Sequence, residues 1–295
     1  MTPLPFVPRL IGAFDDGTPG LLRLFGWRSR WVETSRGRLH YFDVAGHGDG
    51  PPIVLVHGLG SRAADYALLV RRLRRTTRRL ILPDLPGHGW SQGDDPDAEQ
   101  LETVLNEAVE ALLPEPSWVL GNSMGGLIAV RMALHAPDRV RGLVLASPAG
   151  APLAAAALHE LRELFLVDNH ASAVHFVQRL LAGPARLRHV LAAGLRARLA
   201  RGSIRSILGR IRNEDLLHPE QVRSLRMPIY FFWGAADRIL DGDQLAWYRR
   251  SLPDHARIET PEGYGHSPFL DHPGRFARLV RGFVDEMEDA RRGGA

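Results

Sequence analysis

A serine lies between two glycines in the segment 121–125, which reads Gly-Asn-Ser-Met-Gly. An apolar run precedes this segment, and a run compatible with a helix follows it. The pattern is typical of a sharp turn from a strand into a helix, where Gly121 and Gly125 leave room for the backbone and the Ser123 hydroxyl reaches the helix N-terminus. The N–H of Met124 is then free to bind a developing oxyanion. Because such turns also occur for purely structural reasons, other residues must decide whether Ser123 is a nucleophile.

A second segment could complete an anion-binding site. Residues 52–56 are continuously apolar, as expected for a strand buried on both faces of a sheet. This run is followed by His57, Gly58, Leu59 and a further glycine. We predict that the N–H of Leu59 is the second oxyanion donor, that Gly58 supports the loop and that His57 orders it.

An acid and a base follow two later strand patterns. The apolar run 228–233 leads into Gly-Ala-Ala-Asp, which places Asp237 at the C-terminal end of a strand. Further along, a glycine-rich loop after an alternating pattern presents His266. We predict Asp237 as the acid and His266 as the base of a Ser-His-Asp triad. Asp241 and Asp243 compete with Asp237, but they lie beyond the strand end.

Five motifs of this chain resemble those of α/β-hydrolase-fold enzymes, with matches from Trp31 to Glu288. They read His-Gly, Asp-x-x-Gly-His-Gly-x-Ser, Gly-Asn-Ser-Met-Gly, Trp-Gly-x-x-Asp and Gly-His-Ser, and they begin at His57, Asp84, Gly121, Trp233 and Gly265. The resemblance implies an α/β fold with a mostly parallel eight-stranded sheet flanked by helices, and an inserted helical cap. Asp84 and His88 are interpreted as residues that fix the turn after the fourth strand.

The residue sequence of the serine turn is similar to that of carboxylesterases, monoacylglycerol-lipase-like enzymes and the carbon–carbon hydrolases that open ring-cleavage products. Haloalkane dehalogenases and epoxide hydrolases share the scaffold but use aspartate as nucleophile, so Ser123 argues against both. The carbon–carbon hydrolases have Gly-His-Trp where this chain has Ser267 after His266. They also use a cap arginine near the substrate carboxylate.

These residues predict a serine hydrolase. His266 would accept the Ser123 proton as the oxygen attacks a carbonyl, and Asp237 would hold the imidazole. A small-molecule ester with an apolar acyl group is the expected substrate, because an alkoxide is an adequate leaving group for a simple triad. Carbon–carbon hydrolysis, acyl transfer and ligand reception without catalysis remain alternatives, and the residues leave open the physiological substrate, the acyl-chain length and the oligomeric state.

Strand and helix patterns alternate before and after a helical stretch. We predict a hydrolase core over 1–150, with an N-terminal extension over 1–30, a helical cap over 151–226 and the remaining core over 227–295. The predicted strands are 31–36, 38–44, 52–57, 79–83, 117–122, 140–146, 227–237 and 256–260. In the cap, leucines recur every four residues at Leu187, Leu191, Leu195 and Leu199. Their stripe is expected either to form the core of the cap or to border the acyl pocket.

Composition agrees with one α/β domain that carries an insertion, because 295 residues with 45% hydrophobic and 24% charged residues can bury a full core. The chain has no cysteine, which excludes disulfides and thiolate chemistry. No apolar run reaches the length of a membrane span, and the apolar piece near the N-terminus is short for a signal peptide. A cytoplasmic protein without a cofactor or a metal is therefore expected.

All 37 basic residues are arginines, and the formal net charge is +4. They cluster in the segments 71–79 and 186–212, neither of which contains a carboxylate. We interpret both clusters as solvated helix faces. The alternative is a surface that attracts anionic lipid or substrate, which would allow peripheral membrane contact through the arginine-rich cap. Nucleic-acid binding is not expected, because no recognition motif accompanies the arginines.

Overall fold

Alternating strands and helices assemble one central sheet. The computed structural model describes residue 20 and residues 22–93, 98–183 and 188–294. In this part of the chain eight strands are hydrogen-bonded in the order β1-β2-β4-β3-β5-β6-β7-β8. Their bounds are β1 Trp27–Thr34, β2 Gly37–Ala45, β3 Ile53–Val56, β4 Arg79–Pro83, β5 Ser117–Ser123, β6 Val140–Pro148, β7 Ile229–Phe232 and β8 Arg257–Glu259.

The sheet is mostly parallel. β2 pairs antiparallel with β1 and with β4, whereas β3 to β8 are joined by parallel pairings. Parallel strands need helical crossovers that cover both faces, and all four residues of β3 are accordingly buried. The predicted eight-stranded α/β-hydrolase architecture is confirmed.

Helices cover the sheet on both faces. Their bounds are α1 Ala67–Leu73, α2 Ala98–Glu107, α3 Val109–Leu112, α4 Met124–His135, α5 Ala155–Phe165, α6 His170–Leu180, α7 Arg188–Leu199, α8 Gly202–Arg210, α9 Pro219–Arg223, α10 Gly242–Ser251, α11 Pro268–Asp271 and α12 Pro273–Gly293. Two apolar clusters result, one with α1 and α12 and the other with α2, α4 and α10. Along β3, Leu55 belongs to the first cluster and Val54 to the second, as side-chain alternation requires.

The helices α5 to α9 lie between β6 and β7. We call residues 149–228 the insert. The described residues of the insert contain helices but no strand. α6 packs against α7, and apolar residues such as Phe176, Ala192 and Ile204 are buried within this group. The predicted cap boundaries, 151 and 226, lie within two residues of the ends of the insert.

The first strand begins earlier than the sequence predicts, at Trp27 instead of Trp31. The Trp27 ring is buried and packs edge-on against Phe42 at 5.1 Å between centroids. This apolar contact extends the strand into the predicted N-terminal extension. Residues 1–19 and 21 of that extension and the acidic stretch 94–97 lie outside the described residues. None of the helices in the described part of the chain combines the length and the hydropathy that a bilayer crossing requires.

Candidate active site

Ser123 ends β5, and Met124 begins α4. The backbone of Ser123 has φ 56° and ψ −126°, a conformation that costs a non-glycine residue of order 1–3 kcal/mol. A Cβ at Gly121 would lie 2.1 Å from the Gly125 carbonyl oxygen, and one at Gly125 would lie 2.2 Å from the carbonyl oxygen of Val56. The two glycines are therefore required by the close approach of backbone segments, as the sequence pattern predicts.

The loop after β3 passes directly beside the serine. A Cβ at Gly58 would lie 2.9 Å from the Ser123 Cβ. Leu59 and Ser123 line the same cavity. Met124 is the first residue of α4, so its N–H has no acceptor within the helix. The structure thus brings both segments that carry the predicted oxyanion donors to the position of Ser123.

Two buried histidines hold this loop. His57 Nε2 accepts the Leu85 N–H at 3.0 Å, and His57 Nδ1 donates to the Gly58 carbonyl at 2.8 Å. His88 Nε2 accepts the Gly60 N–H at 3.1 Å. Each ring accepts through one nitrogen and can donate through the other, so both are neutral. Burial lowers the pKa of His57, and burial together with the neighbouring His57 lowers the pKa of His88 to about 3.

Asp237 and His266 form a buried hydrogen-bonded pair. Asp237 Oδ2 accepts from His266 Nδ1 at 2.8 Å, and Asp237 Oδ1 accepts the N–H groups of Ile239 at 2.9 Å and Leu240 at 3.2 Å. Burial acts to raise the pKa of Asp237, but His266 and the two backbone donors outweigh it and hold that pKa below its usual value. Asp237 is therefore an ionised acceptor that leaves Nε2 as the proton-accepting nitrogen of the imidazole.

The competing aspartates have other positions. Asp241 is the N-cap of α10, and its Oδ1 accepts the Gln244 N–H at 3.1 Å. Asp243 follows in the first turn of the same helix and is exposed. It is Asp237, and not Asp241 or Asp243, that hydrogen-bonds to His266.

Two residues that the sequence did not single out position the histidine loop. Asn122 Nδ2 donates to the carbonyls of Ala146 and His266, both at 2.8 Å. Asp271 accepts the Gly265 N–H at 2.7 Å and the Ala182 N–H at 2.9 Å. A polar residue at the buried end of an apolar strand was a visible signal for Asn122. Asp271 has no such signal.

Ser123 and His266 line a cavity of about 270 Å³ between the sheet and the insert. Apolar side chains form most of its wall, among them Phe165, Phe176, Val177, Leu191, Leu195 and Leu270. Within the predicted leucine stripe, Leu191 and Leu195 border this cavity, Leu199 is buried, and Leu187 lies outside the described residues. The stripe therefore contributes to the pocket wall as well as to packing.

A second series of hydrogen-bonded Ser, His and Asp side chains lies at the β1 edge of the sheet. Ser29 Oγ is 2.7 Å from His40 Nε2, and His40 Nδ1 is 2.8 Å from Asp84 Oδ2. Asp84 also accepts the Ala63 and Trp90 N–H groups. Ser29 lies within a strand of an antiparallel pair, and not at a turn from a strand into a helix as Ser123 does. These hydrogen bonds therefore connect β1 and β2 to the turn after β4.

The arginines of the insert do not all face solvent. Arg196 and Arg201 are exposed, but Arg198 is only 20% exposed and pairs with Asp65 at 2.7 Å. The interpretation of this cluster as a solvated face is wrong for Arg198, because a carboxylate distant in sequence reaches it. Membrane contact through the exposed arginines stays a prediction. Among the described residues, no group of three or more acidic or histidine side chains is placed to bind a metal ion.

A family model of the alpha/beta hydrolase fold matches residues 51–273. The chain belongs to this family. It is 31% identical over 262 residues to the pimeloyl-[acyl-carrier protein] methyl ester esterase of Methylococcus capsulatus, covering 80% of this chain and 96% of the relative. The enzyme of the same name from Xanthomonas axonopodis pv. citri is 33% identical over 258 residues, covering 83% and 98%.

Solved structures share the fold of this hydrolase. A membrane phospholipase A superposes with a TM-score of 0.80 at 22% identity, over 95% of this chain and 93% of the other. A carboxylesterase from Bacillus subtilis gives a TM-score of 0.75 at 18% identity, over 94% and 98%. Together with the esterase relatives, the family membership confirms the predicted class, a carboxylic ester hydrolase.

The buried state of His88 predicts a pH dependence of stability. Its pKa is about 3 in the folded protein against an ordinary 6.5. Between these two pH values the unfolded chain binds a proton that the folded protein does not. The contribution of His88 to the free energy of unfolding is therefore complete above pH 6.5. It is lost as the pH falls, by up to about 1.4 kcal/mol per pH unit. His88→Gln removes this proton uptake, so its unfolding free energy in urea should fall less steeply than wild type from pH 6.5 to 4.

The exposed His159 on α5 supplies the control for loss of a histidine as such. His159→Gln should keep the slope of the wild type. Equal slopes for His88→Gln and wild type would show that His88 takes up its proton in the folded protein.

Proposed function

We propose that the protein hydrolyses a carboxylic ester through Ser123 as nucleophile, His266 as base and Asp237 as the residue that orients the base. The observation that carries this proposal is the 2.8 Å hydrogen bond from His266 Nδ1 to the buried Asp237, since His266 lines the same cavity as Ser123. The strained turn at Ser123 supports it, because strain persists where the surroundings enforce a functional geometry.

The hydrogen bond between His266 and Asp237 supports one direction of proton transfer. Since Asp237 holds the proton on Nδ1 of His266, Nε2 accepts the hydroxyl proton of Ser123 as the oxygen attacks the ester carbonyl. The ionised Asp237 stabilises the imidazolium that forms. The imidazolium then gives its proton to the departing alkoxide. Water then attacks the acyl-enzyme in the same way: His266 accepts its proton and returns it to the Ser123 oxygen as the carboxylic acid leaves.

The tetrahedral intermediates carry a negative charge on the former carbonyl oxygen. The N–H groups of Leu59 and Met124 are proposed to stabilise it, each lowering the barrier by about 3 kcal/mol. Neutral His57 and His88 support this role, because each fixes a backbone group of the loop through its ring nitrogens. A preorganised loop needs little rearrangement when charge develops.

The proposed substrate is an apolar acyl group esterified to a small alcohol. Apolar residues of the insert form the cavity wall beside Ser123, which suits an aliphatic chain. The relatives named for the methyl ester of a pimeloyl group on acyl-carrier protein support a methyl ester in particular. A carrier-bound acyl chain is therefore the first substrate to test.

Carbon–carbon hydrolysis has less support. The histidine of the proposed triad is followed by Ser267, where the hydrolases of ring-cleavage products have tryptophan. Arg198 is the arginine in the cavity wall, and its charge is compensated by Asp65. A substrate carboxylate would have to compete with this pair.

Replacement of the nucleophile tests the proposal. Ser123→Ala should remove hydrolysis of p-nitrophenyl butyrate and labelling by a fluorophosphonate, while the melting temperature stays within a few degrees of wild type. The wild-type protein should carry the label on the tryptic peptide that contains Ser123. Turnover by the variant at the wild-type rate would eliminate Ser123 as the nucleophile.

The assignment of the acid is tested by a pair of substitutions. Asp237→Asn removes the acceptor that fixes the His266 tautomer, so kcat should fall by roughly three to four powers of ten. Asp241→Asn changes only a helix cap that asparagine can also provide, so kcat should change little. The reverse ranking of the two variants would transfer the role of acid to Asp241.

The position of Leu195 predicts acyl-chain selectivity. Leu195→Trp should narrow the cavity, so kcat/KM should fall progressively from acetate to octanoate esters, by about 0.8 kcal/mol for each methylene that loses its buried site. Leu68→Trp, at an exposed site on α1, is the control. An equal loss for every ester, with a lower melting temperature, would show that Leu195 stabilises the insert without contacting the acyl chain.

A further inference from the structure

One carboxylate joins the insert to the loop beside the serine. Asp65 lies in the short 3₁₀ helix Ala63–Tyr66, which follows this loop. It accepts the Ser61 hydroxyl at 2.8 Å and the Arg62 N–H at 3.2 Å, and its Oδ2 accepts Arg198 Nη1 of α7 at 2.7 Å. All three donors bond to Oδ2, so one carboxylate oxygen of Asp65 joins the core segment 61–62 to the insert.

This ion pair is shielded from solvent. The side chains of Asp65 and Arg198 are each 20% exposed, and both contribute to the wall of the cavity that contains Ser123. Burial acts to raise the pKa of Asp65, but Arg198, Arg62 and the Ser61 hydroxyl hold that pKa below its usual value. The carboxylate is therefore ionised, and removal of Arg198 leaves Arg62, with its Nε 3.6 Å from Asp65 Oδ1, as a more distant cationic neighbour.

A second contact joins the same part of the insert to the same loop. Gly60 has φ +73°, and a Cβ there would lie 2.4 Å from Leu199 Cδ2. The hydroxyl of Ser203 donates to the Gly87 carbonyl at 2.8 Å. The Gly60 N–H is bonded to His88. The end of α7 thus packs against the loop that carries Leu59, next to the ion pair. The start of α8 bonds to the turn after β4, which holds the same loop through His88.

We propose that Asp65 and Arg198 are positioning residues for the oxyanion site. Their ion pair couples the placement of α7 to the loop 58–61 and so sets the position of the Leu59 N–H. This inference rests on the proposed function of Leu59 and Ser123. Because the oxyanion that the Leu59 N–H is proposed to bind forms only during the reaction, a displaced N–H should affect the transition state more than the binding of substrate.

Because Asp65 and Arg198 carry opposite charges, their replacements should have different effects on kcat. Arg198→Gln leaves the anion of Asp65 near the site where the oxyanion forms, and it also releases α7. Asp65→Asn releases α7 without leaving an anion. We therefore expect kcat for p-nitrophenyl acetate to fall about tenfold for Asp65→Asn, which is less than the roughly 10²–10³-fold effect of one lost oxyanion donor, and further for Arg198→Gln. The double variant should recover activity relative to Arg198→Gln, and Arg198→Lys should be closer to wild type than Arg198→Gln.

The experiment measures kcat, KM and melting temperature for these variants, and the inhibition constant of an alkylboronic acid, which forms a tetrahedral anion on an active serine. The expected result is an unchanged KM, with boronate affinity reduced by about the same factor as kcat. The exposed pair Asp168 and Arg205, also 2.7 Å apart and within the insert, provides the control. Asp168→Asn and Arg205→Gln should leave kcat and boronate affinity unchanged.

The inference is overturned if melting temperatures fall while kcat and boronate affinity stay at wild-type values, since the pair then only stabilises the fold. If Asp65→Asn does not fold, Arg198→Gln and Arg198→Lys decide alone by the same criteria. Failure of the proposed function is distinguishable, because the wild-type protein would then neither react with a fluorophosphonate at Ser123 nor bind the boronate.

Discussion

The position of Ser123 depends on three backbone segments that approach each other more closely than side chains permit. The serine turn, the end of β3 and the loop after it leave no space for a Cβ at Gly58, Gly121 or Gly125. This packing holds Ser123 at positive φ, a conformation that persists only where the surroundings over-determine it. The local strain, of order 1–3 kcal/mol, is offset by the burial of the central strands, so the site cannot relax without disturbing the sheet.

Burial also determines the charge states around the serine. Desolvation disfavours the ionised form of every group there, and it prevails for His57 and His88, whose ring nitrogens bond to backbone groups. It does not prevail for Asp237, where an imidazole and two backbone donors favour the anion. His57 and His88 thus hold the loop as neutral hydrogen-bonding residues. A third histidine, His266, is hydrogen-bonded to the carboxylate of Asp237.

Core and insert contribute different properties to the site. The core provides the polar groups on strand ends, where rigid elements fix their directions. The insert provides apolar walls and two contacts with the loop beside Ser123, one through Arg198 and one through Leu199. Because Leu195 on the same helix borders the cavity, the helix that is proposed to contact an acyl chain also packs against the loop.

The sequence by itself determined the type and order of the elements, because apolar periodicity and glycine positions are local signals. It also indicated the candidate nucleophile, acid and base, since each follows a strand and the ends of parallel strands meet at one edge of a sheet. It did not indicate the contacts of Asp65 with Arg198 or of Asn122 with His266, which join residues 133 and 144 positions apart. No periodicity relates such distant residues. Only tertiary packing decides what the apolar face of a helix is buried against and which buried charge receives a partner.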